Sequence, residues 1–330
     1  MATLPYHIID VFSSIAYKGN PLAVVDNTSE SLNTTQMRLI ARQFNLSETT
    51  FVCPSTDSSA TWRLRSFLPN GEEVFGAGHN SLGAWWWIAR SGLLGDSPTG
   101  ADSTGQVYYQ QLGDAVLPVE VSRSNTGETV ISMRQGQPQF LGKHNNKDTL
   151  VESLGISVAD IGLQNSRMEL TEAQVITTSP ARHLLVPVRN KEVLDRVAFN
   201  TERIVEELAR TNSHNSGVYV FTSLNQDSTS KIPRYEARFF SPGMSMEDPA
   251  TGSAAGPLAV YLWVNGGLGS GGDEPKEIEV VQGLKTGREC LMRLTIEPSQ
   301  ESSSVTIVIS GTGAPVADGS IRIPAPDTTF

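Results

Sequence analysis

The sequence predicts an α+β fold made of two similar domains. Three observations predict it: short runs in which β-branched or aromatic residues alternate with polar ones, two helices that are apolar on every side, and one motif that occurs in both halves. The chain has 330 residues, which corresponds to roughly two domains of ordinary size. Each half therefore has enough residues to bury a core of its own.

The strand and helix patterns alternate along both halves of the chain. Apolar residues at helical spacing predict helices at 35–44, from His79 onward, at 149–154, at 201–209 and after Gly252. The helices after Gly78 and Gly252 are apolar all round, so we expect both to be buried. Alternation bounded by Gly, Pro, Asn and Asp predicts strands at 7–12, 22–25, 50–52, 62–67, 107–111, 116–121, 130–133, 183–188, 217–222, 235–240, 278–281, 291–297 and 305–310.

A polar, aperiodic stretch at residues 141–149 is typical of a linker between domains. It predicts a first domain at 1–142 and a second at 143–330, and it leaves open that the last segment crosses back to the first domain. The two halves share a repeat as well. Arg65, Phe67 and Pro69 lie 173 positions before Arg238, Phe240 and Pro242, and Glu73, Gly78 and Ala84 lie 174 before Glu247, Gly252 and Leu258.

Composition excludes several classes of function. The chain has 25 Lys and Arg against 35 Asp and Glu, a formal net charge of −10, and no basic run that could follow a phosphate backbone. We therefore expect neither a nucleic-acid partner nor a membrane partner. Cys53 and Cys290 have no Cys or His neighbours at metal-ligand spacing, so no metal site is predicted. Without a leader-like pattern, the expected location is cytoplasmic.

Three segments contain candidate functional residues, each with a structural alternative. Glu48 lies in a short connection, where a glutamate is usually a solvated charge. His79 starts the first apolar helix, where it could be a packing residue, although Gly78 would let a ligand approach the backbone. In the segment 247–256, two carboxylates precede the second apolar helix. They could support its first turn, or their pKa values could separate into acid and base roles.

Glycine turns that open two facing buried helices would also form a carboxylate site, because backbone N–H groups and positive helix ends point outward there. The sequence therefore predicts a small anionic ligand held between the two halves.

Five motifs give the chain a family resemblance. Residues 10–12 (DVF), 19–25 (GNPLAVV), 46–52 (LSETTFV), 78–79 (GH) and above all 247–254 (EDPATGSA) resemble the PhzF-like phenazine biosynthesis family in order and spacing. The resemblance implies the diaminopimelate epimerase-type fold, with two barrel-like sheets, each wrapped round a central apolar helix, and a site between them.

By this resemblance, Glu48 is the general acid/base of a cofactor-independent isomerase. His79 and Asp248 polarise the substrate, Gly252 and Ser253 donate to its carboxylate, and Asn20 and Gly78 line the cleft. The resemblance also implies a homodimer and a dihydro-hydroxyanthranilate-like substrate. Asn80-Ser81 replaces the family's usual Pro-Thr or Ala-Thr, and Pro257 lies in a helix usually free of proline. Another rearrangement or cyclisation on the same fold, or ligand binding without catalysis, are the alternatives.

Overall fold

A computed structural model describes residues 2–95, 105–164, 169–213, 216–224, 232–243, 247–268, 274–298 and 305–330. The chain forms two compact units. The first comprises Met1–Met133 and Ser310–Phe330, and the second comprises Arg134–Ile309. Strands and helices are numbered below in chain order.

The first unit is a mixed sheet with two helices. Its strands are hydrogen-bonded in the order β19-β1-β2-β3-β4-β6-β7-β8, with the short β5 paired to the end of β4. The β2–β3 and β4–β6 pairs are parallel and the others are antiparallel. The elements are β1 (Thr3–Val11), β2 (Asn20–Asp26), α1 (Thr34–Phe44), β3 (Thr49–Cys53), β4 (Trp62–Phe67), β5 (Glu73–Val74), α2 (His79–Ser91), β6 (Gln106–Leu112), β7 (Ala115–Arg123), β8 (Thr129–Arg134) and β19 (Gly313–Arg322).

The second unit repeats this plan with more helices. Its main strands follow the order β9-β12-β13-β14-β15-β16-β17, in which β13–β14 and β15–β16 are parallel. Its elements are β9 (Gln139–Lys143), α3 (Lys147–Leu154), β10 (Leu163–Gln164), β11 (Glu169–Leu170), β12 (Gln174–Thr177), β13 (Leu184–Pro187), α4 (Lys191–Arg196), α5 (Thr201–Arg210), β14 (Val218–Ser223), β15 (Arg234–Phe240), α6 (Gly252–Val264), β16 (Lys276–Gln282) and β17 (Cys290–Pro298), with short 3₁₀ turns at Val158–Asp160 and Leu284–Thr286. The chain passes from the second unit to the first within β18 (Val305–Gly311).

Each unit is built round one buried helix, as the sequence predicts. Helix α2 contacts β1, β2, β3, β4 and β7, and helix α6 contacts β12, β13 and β17. In both cases the helix touches strands from distant places in the strand order, so the sheet curves round it. Leu82, Trp85, Leu258 and Leu262 of these helices are completely buried. The predicted α+β class with a central apolar helix in each unit is confirmed.

The predicted linker is wrong. Residues 139–143 form β9, which pairs antiparallel with β12, and α3 begins at Lys147. Because β9 is hydrogen-bonded to a strand of the second unit, the compact units divide after Met133 rather than at the predicted 142/143 boundary. At the other end, β19 pairs with β1 along its length, so the last segment of the chain belongs to the first unit.

The repeated motif makes the same contacts in both units. Arg65 on β4 forms a two-pronged pair with Glu73, with Nε and Nη2 at 2.7 and 2.6 Å from its two carboxylate oxygens. Arg238 on β15 binds Glu247 in the same way, at 3.1 and 2.9 Å. Each guanidinium also lies over the aromatic ring two residues further along its strand. The repeat therefore ties the segment before each central helix to the neighbouring strand.

Helix α2 lies so close to the sheet that one position has no room for a side chain. A Cβ on Gly83 would lie 2.6 Å from both Leu22 Cδ2 and Val11 Cγ2, two side chains that are fully buried. We expect Gly83→Ala to lower the free energy of unfolding by about 1–2 kcal/mol, because overpacking outweighs the gain in helix propensity. Urea denaturation measures this, with Gly142→Ala as the control because no atom lies within 4 Å of that Cβ. A Gly83→Ala variant as stable as the wild type would contradict the close packing.

Candidate active site

The topology of the first unit brings its predicted site residues to one edge of the sheet. The parallel β2 and β3 are in register at Ala23 and Thr49, so the residues just before these positions, Asn20 and Glu48 among them, lie at the same edge. Strand β4 ends there, because Phe67 pairs with Thr49. We call Asn20, Glu48, Gly78 and His79 the first candidate cluster.

Glu48 and His79 are in contact within this cluster. His79 Nε2 lies 3.2 Å from Glu48 Oε2, and the two side chains are 9% and 21% exposed. The same nitrogen, His79 Nε2, forms a hydrogen bond with Ser47 Oγ at 3.3 Å. Among the described residues, the buried Glu48 Oε2 has no partner with hydrogen-bond geometry, although it is within ion-pair distance. A carboxylate and an imidazole so placed can accept and return a proton.

The other two members of this cluster are tightly held. Asn20 is 1% exposed and begins β2 opposite Val11, after Gly19, whose φ of +84° suits the preceding turn. Gly78 precedes α2, and its N–H donates to Asn80 Oδ1 at 3.0 Å. The predicted roles of Asn20 and Gly78 in lining a site stay predictions.

Asn80 organises the turn that presents His79. Its Nδ2 donates to the carbonyl of Gly76 and to Ser66 Oγ, both at 3.1 Å, and Ser66 Oγ is 2.9 Å from Thr50 Oγ1. Asn80 thus ties the Gly-rich turn to β3 and β4 from a buried position. The sequence singled it out as a departure from the family pattern, but its partner on β4, Ser66, lies 14 positions earlier in the sequence.

The second candidate cluster consists of Asp248, Gly252 and Ser253 at the start of α6. Asp248 Oδ2 accepts from Thr251 Oγ1 at 2.6 Å, and its Oδ1 accepts from the N–H of Ala250 at 3.4 Å. Glu247, the neighbouring carboxylate, is paired with Arg238 instead. The two acidic residues that the sequence could not separate therefore differ in these contacts: Glu247 forms an ion pair with Arg238, while Asp248 accepts from the hydroxyl of Thr251 and the N–H of Ala250.

Gln282, a residue that sequence reasoning missed, forms hydrogen bonds with the segment that contains Asp248. Its Nε2 donates to the carbonyl of Asp248 at 2.7 Å and to Thr251 Oγ1 at 3.0 Å. Its Oε1 accepts from the N–H of Thr251 and from the hydroxyl of Tyr219. Burial, with the nearby Asp248 and Cys290, raises the pKa of Tyr219 well above its ordinary value, so this hydroxyl stays a donor. The network fixes the turn before α6.

Gly252 and Ser253 open α6 and have partners of their own. Gln135 Nε2 donates to the carbonyl of Gly252 at 2.9 Å. The Ser253 hydroxyl lies 2.9 Å from Nε2 of His183, which sequence reasoning assigned only to the start of a strand. The helix continues through Pro257, which has no N–H to donate to the carbonyl of Ser253. The carbonyl of Ser253 therefore receives no hydrogen bond from position 257, four residues further along the helix.

The described residues contain no group of three or more His, Cys, Asp and Glu side chains placed to hold a metal ion. In the same part of the chain, no helix combines the length and the apolar composition needed to cross a membrane.

Comparison with known proteins adds the family relationship. The family described as phenazine biosynthesis-like protein matches residues 9–319. An uncharacterized isomerase of Mesorhizobium japonicum is 30% identical over 98% of this chain and 100% of its own. The trans-2,3-dihydro-3-hydroxyanthranilate isomerase of Pseudomonas fluorescens is 30% identical over 96% of this chain and 98% of its own. A crystal structure of a phenazine biosynthesis protein of the PhzF family from Bacillus anthracis superposes with a TM-score of 0.80 at 26% identity, covering 98% of this chain and 100% of that one.

Proposed function

The chain belongs to the phenazine biosynthesis-like (PhzC/PhzF) family and is one of its isomerases, and from this premise we propose that Glu48 moves a proton between carbons of its substrate. The observation that carries the proposal is the contact of 3.2 Å between Glu48 and His79. A carboxylate of this kind acts as base towards one carbon and as acid towards another. Proton transfer by one positioned group supplies a factor of about 10²–10⁴ in rate.

The second candidate cluster supplies the binding groups in this proposal. The Ser253 hydroxyl and the N–H groups at the start of α6 would donate to a substrate carboxylate, as a positive helix end favours an anion. Asp248 and His79 would hold and polarise the polar groups next to the reacting carbons, and Asn20 and Gly78 would line the site. That both clusters serve one substrate molecule stays a prediction, as do the homodimer and the cytoplasmic location.

The proposed substrate is a small carboxylate-bearing ring related to the compound in the name of the Pseudomonas fluorescens relative, trans-2,3-dihydro-3-hydroxyanthranilate. Such a molecule carries the carboxylate that the start of α6 would bind and a C–H bond made acidic by conjugation. With Glu48 to move the proton and hydrogen-bond donors to hold the charge, the reaction proposed needs no organic cofactor or metal.

Proton NMR in D₂O with trans-2,3-dihydro-3-hydroxyanthranilate tests this function. We expect the wild type to convert the compound to an isomer that carries deuterium at a ring carbon. The rate should be unchanged after gel filtration and dialysis against EDTA. Conversion to a product that is not an isomer would favour another rearrangement or cyclisation. Binding without conversion or exchange would favour ligand sensing, and loss of the rate after EDTA would contradict cofactor independence.

A further inference from the structure

His183 lies behind Ser253 and has three neighbours that fix its ring. His183 immediately precedes β13 and is only 6% exposed. Its Nδ1 accepts a hydrogen bond from the N–H of Gly217 at 3.3 Å, and its Nε2 lies 2.9 Å from Ser253 Oγ. The ring of Phe239 meets the imidazole edge to face, with the ring centroids 4.8 Å apart.

These neighbours determine which ring nitrogen carries the proton. A backbone N–H can only donate, so Nδ1 of His183 must offer its lone pair to Gly217. Burial lowers the pKa of His183 to about 4, so the ring is neutral at pH 7 and its single proton lies on Nε2. The Nε2–H group then donates to Ser253 Oγ, which leaves the hydrogen of the serine hydroxyl free for another acceptor.

The internal repeat supports a functional reading of this contact. Ser253 follows Gly252 as His79 follows Gly78, so both are the second residue of the same repeated turn. In the first unit the side chain at this position contacts a carboxylate that can take up a proton, Glu48. In the second unit it contacts a neutral imidazole. The corresponding positions have thus diverged, one towards proton transfer and the other towards donation of a hydrogen bond.

We propose that His183 is a positioning residue that orients the Ser253 hydroxyl as a hydrogen-bond donor to the carboxylate of the substrate. The inference rests on the proposed function in one respect, the carboxylate that Ser253 binds. His183 itself does not touch the substrate. In the described part of the chain, the Ser253 hydroxyl has no other recorded hydrogen bond, so an added acceptor need not displace one.

The first part of the test examines the ring in the wild-type protein without substrate. Two-dimensional ¹H–¹⁵N NMR of the imidazole groups, assigned by the loss of one signal in His183→Gln, identifies the protonated nitrogen. We expect a protonated Nε2 and an unprotonated Nδ1 from pH 5.5 to 8. A proton on Nδ1 at pH 7, in a neutral or a doubly protonated ring, would overturn the inference because Nδ1 could then not accept from the N–H of Gly217.

The second part is a double-mutant cycle in the binding of anthranilate, a stable aromatic carboxylate. We expect His183→Met and Ser253→Ala each to raise the Kd by about fivefold to tenfold, the effect of losing one oriented hydrogen bond. The double variant should bind no more weakly than Ser253→Ala alone, since His183 acts through that hydroxyl. His183→Gln, whose amide can accept from Gly217 and donate to Ser253, should retain most of the affinity.

The outcomes separate this inference from the proposed function. Additive losses in the cycle, together with normal turnover, would overturn the role of His183 and leave the isomerase proposal intact. A non-additive cycle, together with a wild type that does not convert the proposed substrate, would support the positioning role of His183 and overturn the proposed reaction. If His183→Met does not fold, the affinity of His183→Gln and the tautomer of the wild type decide. An Nδ1–H tautomer, or a His183→Gln variant no tighter than Ser253→Ala, would overturn the inference.

Discussion

Glu48→Gln should abolish most of the isomerase activity, lowering kcat by a factor of about 10²–10⁴. The amide has the size of the carboxylate but cannot accept and return a proton at neutral pH. The contact with His79 is partly exposed, so its loss should change the free energy of unfolding by about 1 kcal/mol at most. The measurement is the rate of deuterium uptake from D₂O into the ring, compared between wild type and variant.

Two controls make the result for Glu48 specific. Glu297→Gln makes the same chemical change in an exposed pair with Arg134, and it should leave the rate unchanged. Anthranilate should bind to Glu48→Gln with nearly the wild-type Kd, because in our proposal the start of α6 binds the carboxylate. Deuterium uptake by Glu48→Gln at the wild-type rate would show that another group moves the proton.

Arg238→Met should cause the largest loss of stability, about 3–5 kcal/mol. The Arg238 and Glu247 side chains are 11% and 10% exposed, so the variant leaves a nearly buried carboxylate without its partner. It also removes the donor to the backbone carbonyls of Leu194 and Val197. Urea denaturation followed by tryptophan fluorescence measures the change in midpoint.

The matched control is Arg134→Met, which breaks a pair whose side chains are 55% and 35% exposed and should cost less than about 1 kcal/mol. Replacing both partners, in Arg238→Met with Glu247→Leu, should recover part of the loss because no charge stays buried alone. An Arg238→Met variant no less stable than Arg134→Met would contradict an anchoring role for the pair. Because Glu247 adjoins Asp248, the single variant should also weaken anthranilate binding.

Elements whose signals are local could be predicted from the sequence. Helix α1 has an apolar face through Met37 and Ile40, and Asn33 and Gln36 form a capping box at its start, so its predicted and observed bounds differ by one residue. The strand predicted at 62–67 is β4, Trp62–Phe67. The central helices are apolar all round, and this pattern alone predicts that they are buried, without any knowledge of the strands that cover them.

Elements and residues that depend on distant partners could not be predicted. Helix α4, Lys191–Arg196, is shorter than the window in which helical periodicity is visible. Strand β9 overlaps the start of the polar stretch 141–149 and is stabilised by hydrogen bonds to β12 rather than by its own pattern. His183 meets Ser253 across 70 positions of sequence, and Gln282 meets Asp248 across 34. Such side chains acquire their roles only when the strands that hold them are assembled.

The pairing of β1 with β19 has a consequence for the synthesis of the chain. Strand β1 is made near the start of translation, whereas its partner, Gly313–Arg322, is made after the whole second unit. At a translation rate of about 5–20 residues per second, one edge of β1 stays unpaired for roughly 15–60 s. Residues 134–309 are contiguous and can fold on the ribosome during this interval. The first unit is therefore completed last, and its open strand edge needs protection from other chains until then.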